Sequence, residues 1–407
     1  MFDKLGRDNG KINLMMTSHT KNTFWLLTAG VFFAFFVFGF TDNLKGPVLP
    51  ALLQDLKLNY ALGGTILTGI YLGVMLASLS AGLLADTVGL KTVLLLAGLC
   101  LSVGVIGATQ FTDPVPLLFF MAILGFGLGS LDLGCNSMII LLHPTDKARY
   151  LNLMASMHGM GSMLAPLYAG WMLAAHQSWR VVYRWDLVLI GLLVVYLLIF
   201  NFPRQAAVES QKIDFRQIGR TAFSPILITY YFIAMMYVAL ELGLASWMVE
   251  YLQKVLSQSI NQSTQALSIF FGLVMLGRLV GSFFVEKIGY LRSILFAMLA
   301  ASACVAIGLF GPAQLSLLLP VTGFFLAVVF PTITADISGT LKENMNTILG
   351  LLFTFASFGG MLGPWLVGVA GDLGGIKFGF SMNLVFGLLT VASTILLIQL
   401  KAKKQFA

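Results

Sequence analysis

The stretch Ile123–Leu142, ILGFGLGSLDLGCNSMIILL, limits what this chain can fold into more than any other. Twenty helical residues rise about 30 Å, the thickness of a bilayer's hydrocarbon core. The run is apolar apart from a few small polar groups and one carboxylate, Asp132, which lies well inside it. A centrally placed Asp costs ~2.5–3.5 kcal/mol on insertion scales, so such a residue is expected to face a protein interior or an aqueous cavity. Gly125, Gly127, Gly129, Gly134 and Asn136 surround it; small residues let helices approach closely, and the amide adds a polar contact. A buried acid on a glycine-lined helix is where a translocation pathway is expected.

The rest of the chain agrees with a membrane setting. Of its 407 residues 58% are apolar and only 10% charged, against about 25% charged in a soluble protein. Apolar runs long enough to cross a bilayer fall at 24–50, 61–84, 92–110, 116–141, 150–175, 185–202, 225–251, 266–286, 292–311, 315–339, 347–371 and 379–399. The first 22 residues show no apolar core followed by a cleavage site, so the first run reads as a retained helix. One long polar interruption, Pro203 to Arg220, divides twelve spans into six and six. The expected architecture is an all-α membrane protein of two six-helix bundles, 23–202 and 223–400. A tail at 1–22, a linker at 203–222 and a basic tail at 401–407 complete it.

Basic residues set the orientation. With the N-terminus cytoplasmic, seventeen of the 24 Lys and Arg residues fall on the inner side and five on the outer. Lys45 and Arg278 lie within spans. Both termini are thus expected in the cytoplasm, and the net charge of +7 needs no nucleic-acid partner. Cys100, Cys135 and Cys304 lie in apolar runs with no ligand spacing and read as packing residues.

The halves repeat each other. Gly82-Leu-Leu-Ala-Asp86-Thr-Val-Gly89-Leu-Lys91 follows span 2, and Ser282-Phe-Phe-Val-Glu286-Lys287-Ile-Gly289-Tyr-Leu-Arg292 follows span 8. Each is a helix end, an acid, a Gly three residues on, and then a base; the Gly suits a tight turn and the acid a helix start or an ion pair. His158-Gly-Met-Gly-Ser-Met-Leu-Ala-Pro166 in span 5 likewise matches Phe358-Gly-Gly-Met-Leu-Gly-Pro364 in span 11. Such repeats point to a transporter with its site between the halves.

At these residues the chain resembles the major facilitator superfamily over its whole length. The Gly82, Asp86, Gly89, Lys91 loop is similar to that family's gate loop, with Thr87 where a basic residue usually follows the Asp. Gly127-Leu-Gly-Ser-Leu-Asp132-Leu-Gly-Cys-Asn136, Tyr237-Val-Ala-Leu-Glu241-Leu-Gly-Leu-Ala-Ser-Trp247, and Asn43-Leu44 with Leu49-Pro50 resemble the fucose permease-like branch of proton-coupled sugar symporters. The departures are Gly46 in place of that branch's span-1 Asp, with Asp42 one helical turn earlier, and His158 in place of a sugar-binding Asn. The resemblance implies alternating access and import of a monosaccharide or sugar derivative with a proton.

The residues divide by chemistry. Asp132, Glu241 and Asp42 are the candidate proton-coupling acids; the structural alternative for Asp132 is an ion pair with Lys45 or a hydrogen bond with Asn136. Asn43, Lys45, Asn136, His158, Tyr237, Glu241 and Trp247 are the candidate substrate contacts, since hydroxyls, amides and ring faces suit a sugar, with interfacial anchoring the alternative for Trp247. Gly39, Gly46, Pro47 and Pro50 are expected to break span 1, leaving backbone groups that a cavity or partner must satisfy. Lys45 can pair with Asp42 or Asp132, attract an anion, or snorkel outward. Arg278 and Glu286 read as gate residues beside Gly82, Asp86, Gly89 and Lys91.

The rival solutes are an anionic metabolite (a sugar acid, a phosphorylated compound or a peptide-like molecule) drawn by Lys45 and His158, or a compound for export. The chain carries no HExxH, GxSxG or paired histidines, so an enzyme is not expected, nor any cofactor or metal. The expected partners are a small solute, protons and the bilayer of a bacterial inner membrane, with the monomer as the working unit.

Overall fold

The computed structural model describes residues 21–200, 202, 223–340 and 345–405. The expected linker 203–222 lies outside these, as do residues 1–20 of the expected N-terminal tail and the side chain of Asp86. The described residues form α-helices joined by short turns: α1 Lys21–Asp42, α2 Lys45–Leu56, α3 Tyr60–Val88, α4 Leu90–Ala108, α5 Pro114–Leu142, α6 Lys147–Ala174 and α7 Trp179–Ile199. The second half holds α8 Pro225–Leu256, α9 Ile260–Gly281, the short α10 Val285–Ile288, α11 Tyr290–Phe310, α12 Leu318–Leu326, α13 Val329–Thr340 and α14 Met345–Gln405.

Ten helical stretches are long and apolar enough to cross a membrane. One of them, Thr347–Lys403, is two crossings joined at Gly375, whose φ of 80° and ψ of 164° interrupt α14. The remaining crossing is α6, 28 residues long, whose Asn152, Ser156, His158 and Ser162 make it the most polar of the set. The twelve expected spans are therefore present, and an even number puts Lys21 and Gln405, the first and last described residues, on one face, here called the near end.

Helix limits run past the apolar runs wherever a polar side chain caps a turn. Asn59 accepts from the Leu62 amide and starts α3. Asp113 starts α5, and Ser259 with Gln262 forms a capping box that starts α9. These are the side-chain caps that Asn, Asp and Ser supply to free helix amides. The sixth span begins at Trp179 behind Ser178, six residues before its apolar run, and so takes Arg180 and Arg184 into its first turns.

Span 1 breaks as its residues predict. α1 ends at Asp42, Asn43 and Leu44 form a turn, and α2 starts at Lys45. The two repeated gate loops share one backbone: Gly89 has φ 87° and ψ 154°, Gly289 φ 91° and ψ 143°. That region is essentially closed to residues with a Cβ.

Four helix pairs join the halves among the described residues: α3 with α14, α6 with α9, α2 with α8, and more lightly α2 with α9. They meet through small residues. A Cβ on Gly46 of α2 would strike the Ala245 carbonyl of α8, and one on Gly368 of α14 would strike the Tyr60 carbonyl of α3. At the far end Asp372 of α14 accepts from the Tyr60 and Ala61 amides at 2.8 and 2.9 Å, and the Tyr60 hydroxyl donates to Glu250 of α8 at 3.2 Å. The described hydrogen bonds between halves run no nearer the chain ends than Thr68 to the Met361 carbonyl and Ser268 to the Met163 carbonyl.

Candidate functional site

A cavity of about 210 Å3 lies between α6 and α9 on the near side of that seal. α6 supplies Asn152, Ser156, His158 and Ser162; α9 supplies Phe271, Val274, Met275 and Arg278; Glu241 of α8 closes one side. The α6 residues follow from helical spacing: 152, 155–156, 159 and 162 share one face at steps of three and four. The helices touch where Gly159 meets Met275 and Gly272 meets Met163.

Glu241 lies halfway along α8, about 24 Å from its start at Pro225. Tyr237, one turn earlier, is within hydrogen-bonding reach of its carboxylate. Across the cavity stands Arg278, within electrostatic reach of both Glu241 and His158. His158 packs against Phe35 and Phe38, with ring centroids 5.7 and 4.7 Å away, and its Nδ1 lies 3.4 Å from the Ser162 hydroxyl.

The break in span 1 lies behind the cavity wall, joined to it through Ser162. The Asn43 amide donates to the Gly39 carbonyl and to Ser162 Oγ, both at 2.9 Å. This satisfies a backbone oxygen that the interrupted helix leaves free. Lys45 Nζ donates to the Asp42 carboxylate at 2.5 Å and to the Asp42 carbonyl at 2.7 Å, and sits 5.1 Å from the centre of the Tyr71 ring. Of the alternatives for Lys45, pairing with Asp42 is the one realised. With 2% of its side chain exposed, it neither snorkels outward nor faces the cavity.

Asp132 stands elsewhere. It lies seven residues from Gly125 and three from Gly129, the two glycines that press on the backbone of α3 at Ile70 and Val74, so it shares their face. Asn136 of its own helix donates to its carboxylate at 2.8 Å and to its carbonyl at 2.9 Å. Neither residue lines the cavity. Asn136 is thus a partner of Asp132, and the hydrogen bond between them is present.

Trp247 is fully buried, its indole N–H donating to the Pro364 carbonyl at 2.9 Å and its ring set edge-on to Tyr60 at 5.7 Å. Six residues beyond Glu241 toward the far end, it belongs to the seal and touches neither cavity nor lipid interface. Arg278, expected as a gate residue with Glu286, instead lines the cavity; Glu286 is exposed in α10. Gly82 meets open space, and Lys91 Nζ lies 3.4 Å from the Leu198 carbonyl.

Sequence reasoning passed over several groups. Asp186 is buried, accepting from Thr41 at 2.8 Å on one oxygen, with no partner on the other among the described residues. It was hidden by placing the start of its span at 185, which makes it a surface residue. Asp372 and Glu250, the acids of the seal, fall at span ends where acids are common, and no local signal marks them. His143, just past the end of its apolar run, is buried with its ring stacked on Tyr150 and Nε2 2.9 Å from Thr28 Oγ1.

Several known proteins resemble this chain in sequence or in fold. The chain is 22% identical to the cis,cis-muconate transport protein of Acinetobacter baylyi over 386 residues, covering 89% of this chain and 91% of the other. A gallate transporter of Pseudomonas putida is 28% identical over 39% of this chain and 35% of its own. Among solved structures, a nucleoside transporter, NupG, superposes with a TM-score of 0.79 at 15% identity, covering 92% of this chain and 99% of the other. A D-xylose–proton symporter gives 0.74 at 12%, covering 92% and 97%, and the fucose:proton symporter of E. coli 0.63 at 16%, covering 92% and 99%. These structures share the fold. A sequence profile of the Major Facilitator Superfamily matches residues 31–364, and the protein belongs to that superfamily.

Proposed function

We propose that this chain is a secondary transporter that rocks residues 23–202 against 223–400 and carries a small polar solute inward together with a proton. The carrying observation is a group of titratable side chains, His158, Glu241 and Arg278, on the wall of a cavity at the junction of the halves. The Asp42–Lys45 pair sits beside them at the break in span 1. Charged groups at that depth are costly and serve function by default. Glu241 is assigned the coupling proton in preference to Asp132, because Glu241 alone of the two meets the space a solute would occupy. The near end is the cytoplasmic one by the bias of its basic residues, in a bacterial inner membrane, with one chain as the working unit.

The solute is small. A drug-sized ligand takes a pocket of roughly 300–1,000 Å3, whereas this cavity measures about 210 Å3. A monosaccharide or sugar derivative fits the polar groups of α6 and the resemblance to sugar symporters. One observation favours a second reading, an anionic metabolite: the cation on the wall is Arg278. The relatives named for muconate and gallate transport add support, since both compounds are acids.

The test is uptake into proteoliposomes under an imposed pH gradient, with a panel of labelled monosaccharides, sugar acids and small aromatic acids. Accumulation of at least one compound above its equilibrium level, abolished by a protonophore, is expected. Uptake that only equilibrates, unaltered by the gradient, would contradict proton coupling.

A further inference from the structure

Arg278 is a cation without an answer. Among the described residues its guanidinium makes no hydrogen bond, and the ion pairs there are Lys45–Asp42, Arg180–Asp55 and Lys401–Asp336. Yet Arg278 is exposed in the wall of a cavity buried between helices. Glu241 faces it from α8, too far for an ion pair but close enough to act through space. An acid and a base therefore look at each other across a gap that is open to a small molecule.

Resting on the transport reading above, we propose that Arg278 anchors a carboxylate of the transported solute, and that Glu241 takes up the accompanying proton. A guanidinium offers two parallel N–H donors that match the two oxygens of a carboxylate. Beside it Phe271, Val274 and Met275 give the body of the solute an apolar wall, and Ser156, Ser162 and His158 give it polar contacts.

The charges explain the coupling. With the cavity empty, the negative Glu241 and positive Arg278 cancel. A solute carboxylate on Arg278 adds a second negative charge beside Glu241, and like charges in a site of low dielectric disfavour each other. A proton on Glu241 removes the conflict, so a monoanion and one proton bind together and the loaded site carries the same net charge as the empty one. Either alone would leave a net charge to be moved through the middle of the bilayer. The other titratable groups around this site, of which His158 lines the cavity and the rest lie behind its wall, leave that balance intact. Asp42 and Lys45 neutralise each other, while Tyr71 of α3, Tyr237 of α8 and His158 of α6 complete the set.

The experiment compares binding of matched pairs, glucuronate with glucose and benzoate with benzyl alcohol, by thermal shift on the purified full-length chain at pH 6 and pH 8. Both acids stay ionised throughout, since ordinary carboxyl groups titrate near 4. The acid of at least one pair should stabilise the wild type more than its neutral partner, and more strongly at pH 6. Arg278→Gln should weaken that binding on the order of tenfold or more, with Arg278→Lys intermediate as evidence of an intact fold. Glu241→Gln should bind the acid alike at both pH values. Acids bound no better than their neutral partners, undiminished binding to Arg278→Gln, or wild-type pH dependence in Glu241→Gln would each overturn the assignment. Gradient-driven uptake of a neutral sugar by wild type and Arg278→Gln alike would also overturn it, while leaving proton-coupled transport standing. Acid binding through Arg278 without gradient-driven uptake would do the reverse.

Discussion

The two ends of this transporter use the same helix pairs in opposite ways. At the far end α3 and α14 meet closely enough that Gly368 lies on the Tyr60 backbone, and Asp372 caps two free amides of the opposing half. At the near end the same two helices carry Gly82 and Gly350, each with nothing within 4 Å of a would-be Cβ. Among the described residues the contact is made at one end, while these two glycines meet nothing at the other, and the charged cavity lies below the seal. Rigid halves that pivot about the mid-membrane contacts would exchange these conditions, since packed interfaces tend to hold discrete arrangements.

The largest expected effect comes from spoiling the sealed end. Gly46→Val places methyl groups against the Ala245 carbonyl and Leu267. Such overpacking costs about 1–3 kcal/mol, enough to shift a two-state population ~5–150-fold. Spin labels at the exposed Lys57 and Leu373 should report a longer distance across the far end, and an unchanged distance would break the comparison. Gly350→Val probes the open end. It meets no clash in the state described, so thermal stability should hold within ~0.5 kcal/mol, while counterflow of any transported solute slows because the near end no longer closes. Full-speed counterflow would show that α14 does not approach another helix there.

Asp372→Ala should act in the direction of Gly46→Val but less, by about 0.5–2 kcal/mol, the usual cost of losing a helix cap. The smallest effect belongs to His143 at the near end of α5. Burial holds its imidazole below the usual histidine range, opposed by Asp146. The unfolded chain therefore binds more protons than the folded one, and stability rises with pH. The contribution is complete above about pH 6.5 and declines as pH falls toward the folded value. Thermal melts from pH 7.5 to 5 should fall less steeply in His143→Gln than in the wild type.

Much of this was legible in the sequence, for identifiable reasons. Apolar length fixes the spans, since lipid imposes one thickness on every crossing. Gly89 and Gly289 were readable because a backbone near φ 90° accepts little else. The break at Asp42–Lys45 was readable because Gly and Pro cluster there. What the sequence did not supply was helix rotation. Asp132 and Glu241 look alike as lone acids in apolar runs, but the glycines beside Asp132 turn its face onto α3, while Glu241 meets the opposite half across a cavity. Trp247 and Arg278 were misplaced for the same reason: depth along a helix can be counted from its ends, whereas direction depends on which neighbour each face finds. Asp186 and Asp372 were missed because a carboxylate near a span end looks solvated until its own partners, Thr41 or the Tyr60 and Ala61 amides, are seen.

The central claim is that the coupling proton rides on Glu241 in the cavity between the halves. The direct measurement is uptake of a transported solute into proteoliposomes under an inward pH gradient, with wild type, Glu241→Gln and Asp132→Asn side by side. Wild type and Asp132→Asn should accumulate the solute, while Glu241→Gln should exchange it without accumulating it. Accumulation by Glu241→Gln equal to wild type, or its loss in Asp132→Asn alone, would contradict the account and return the proton to the acid on α5.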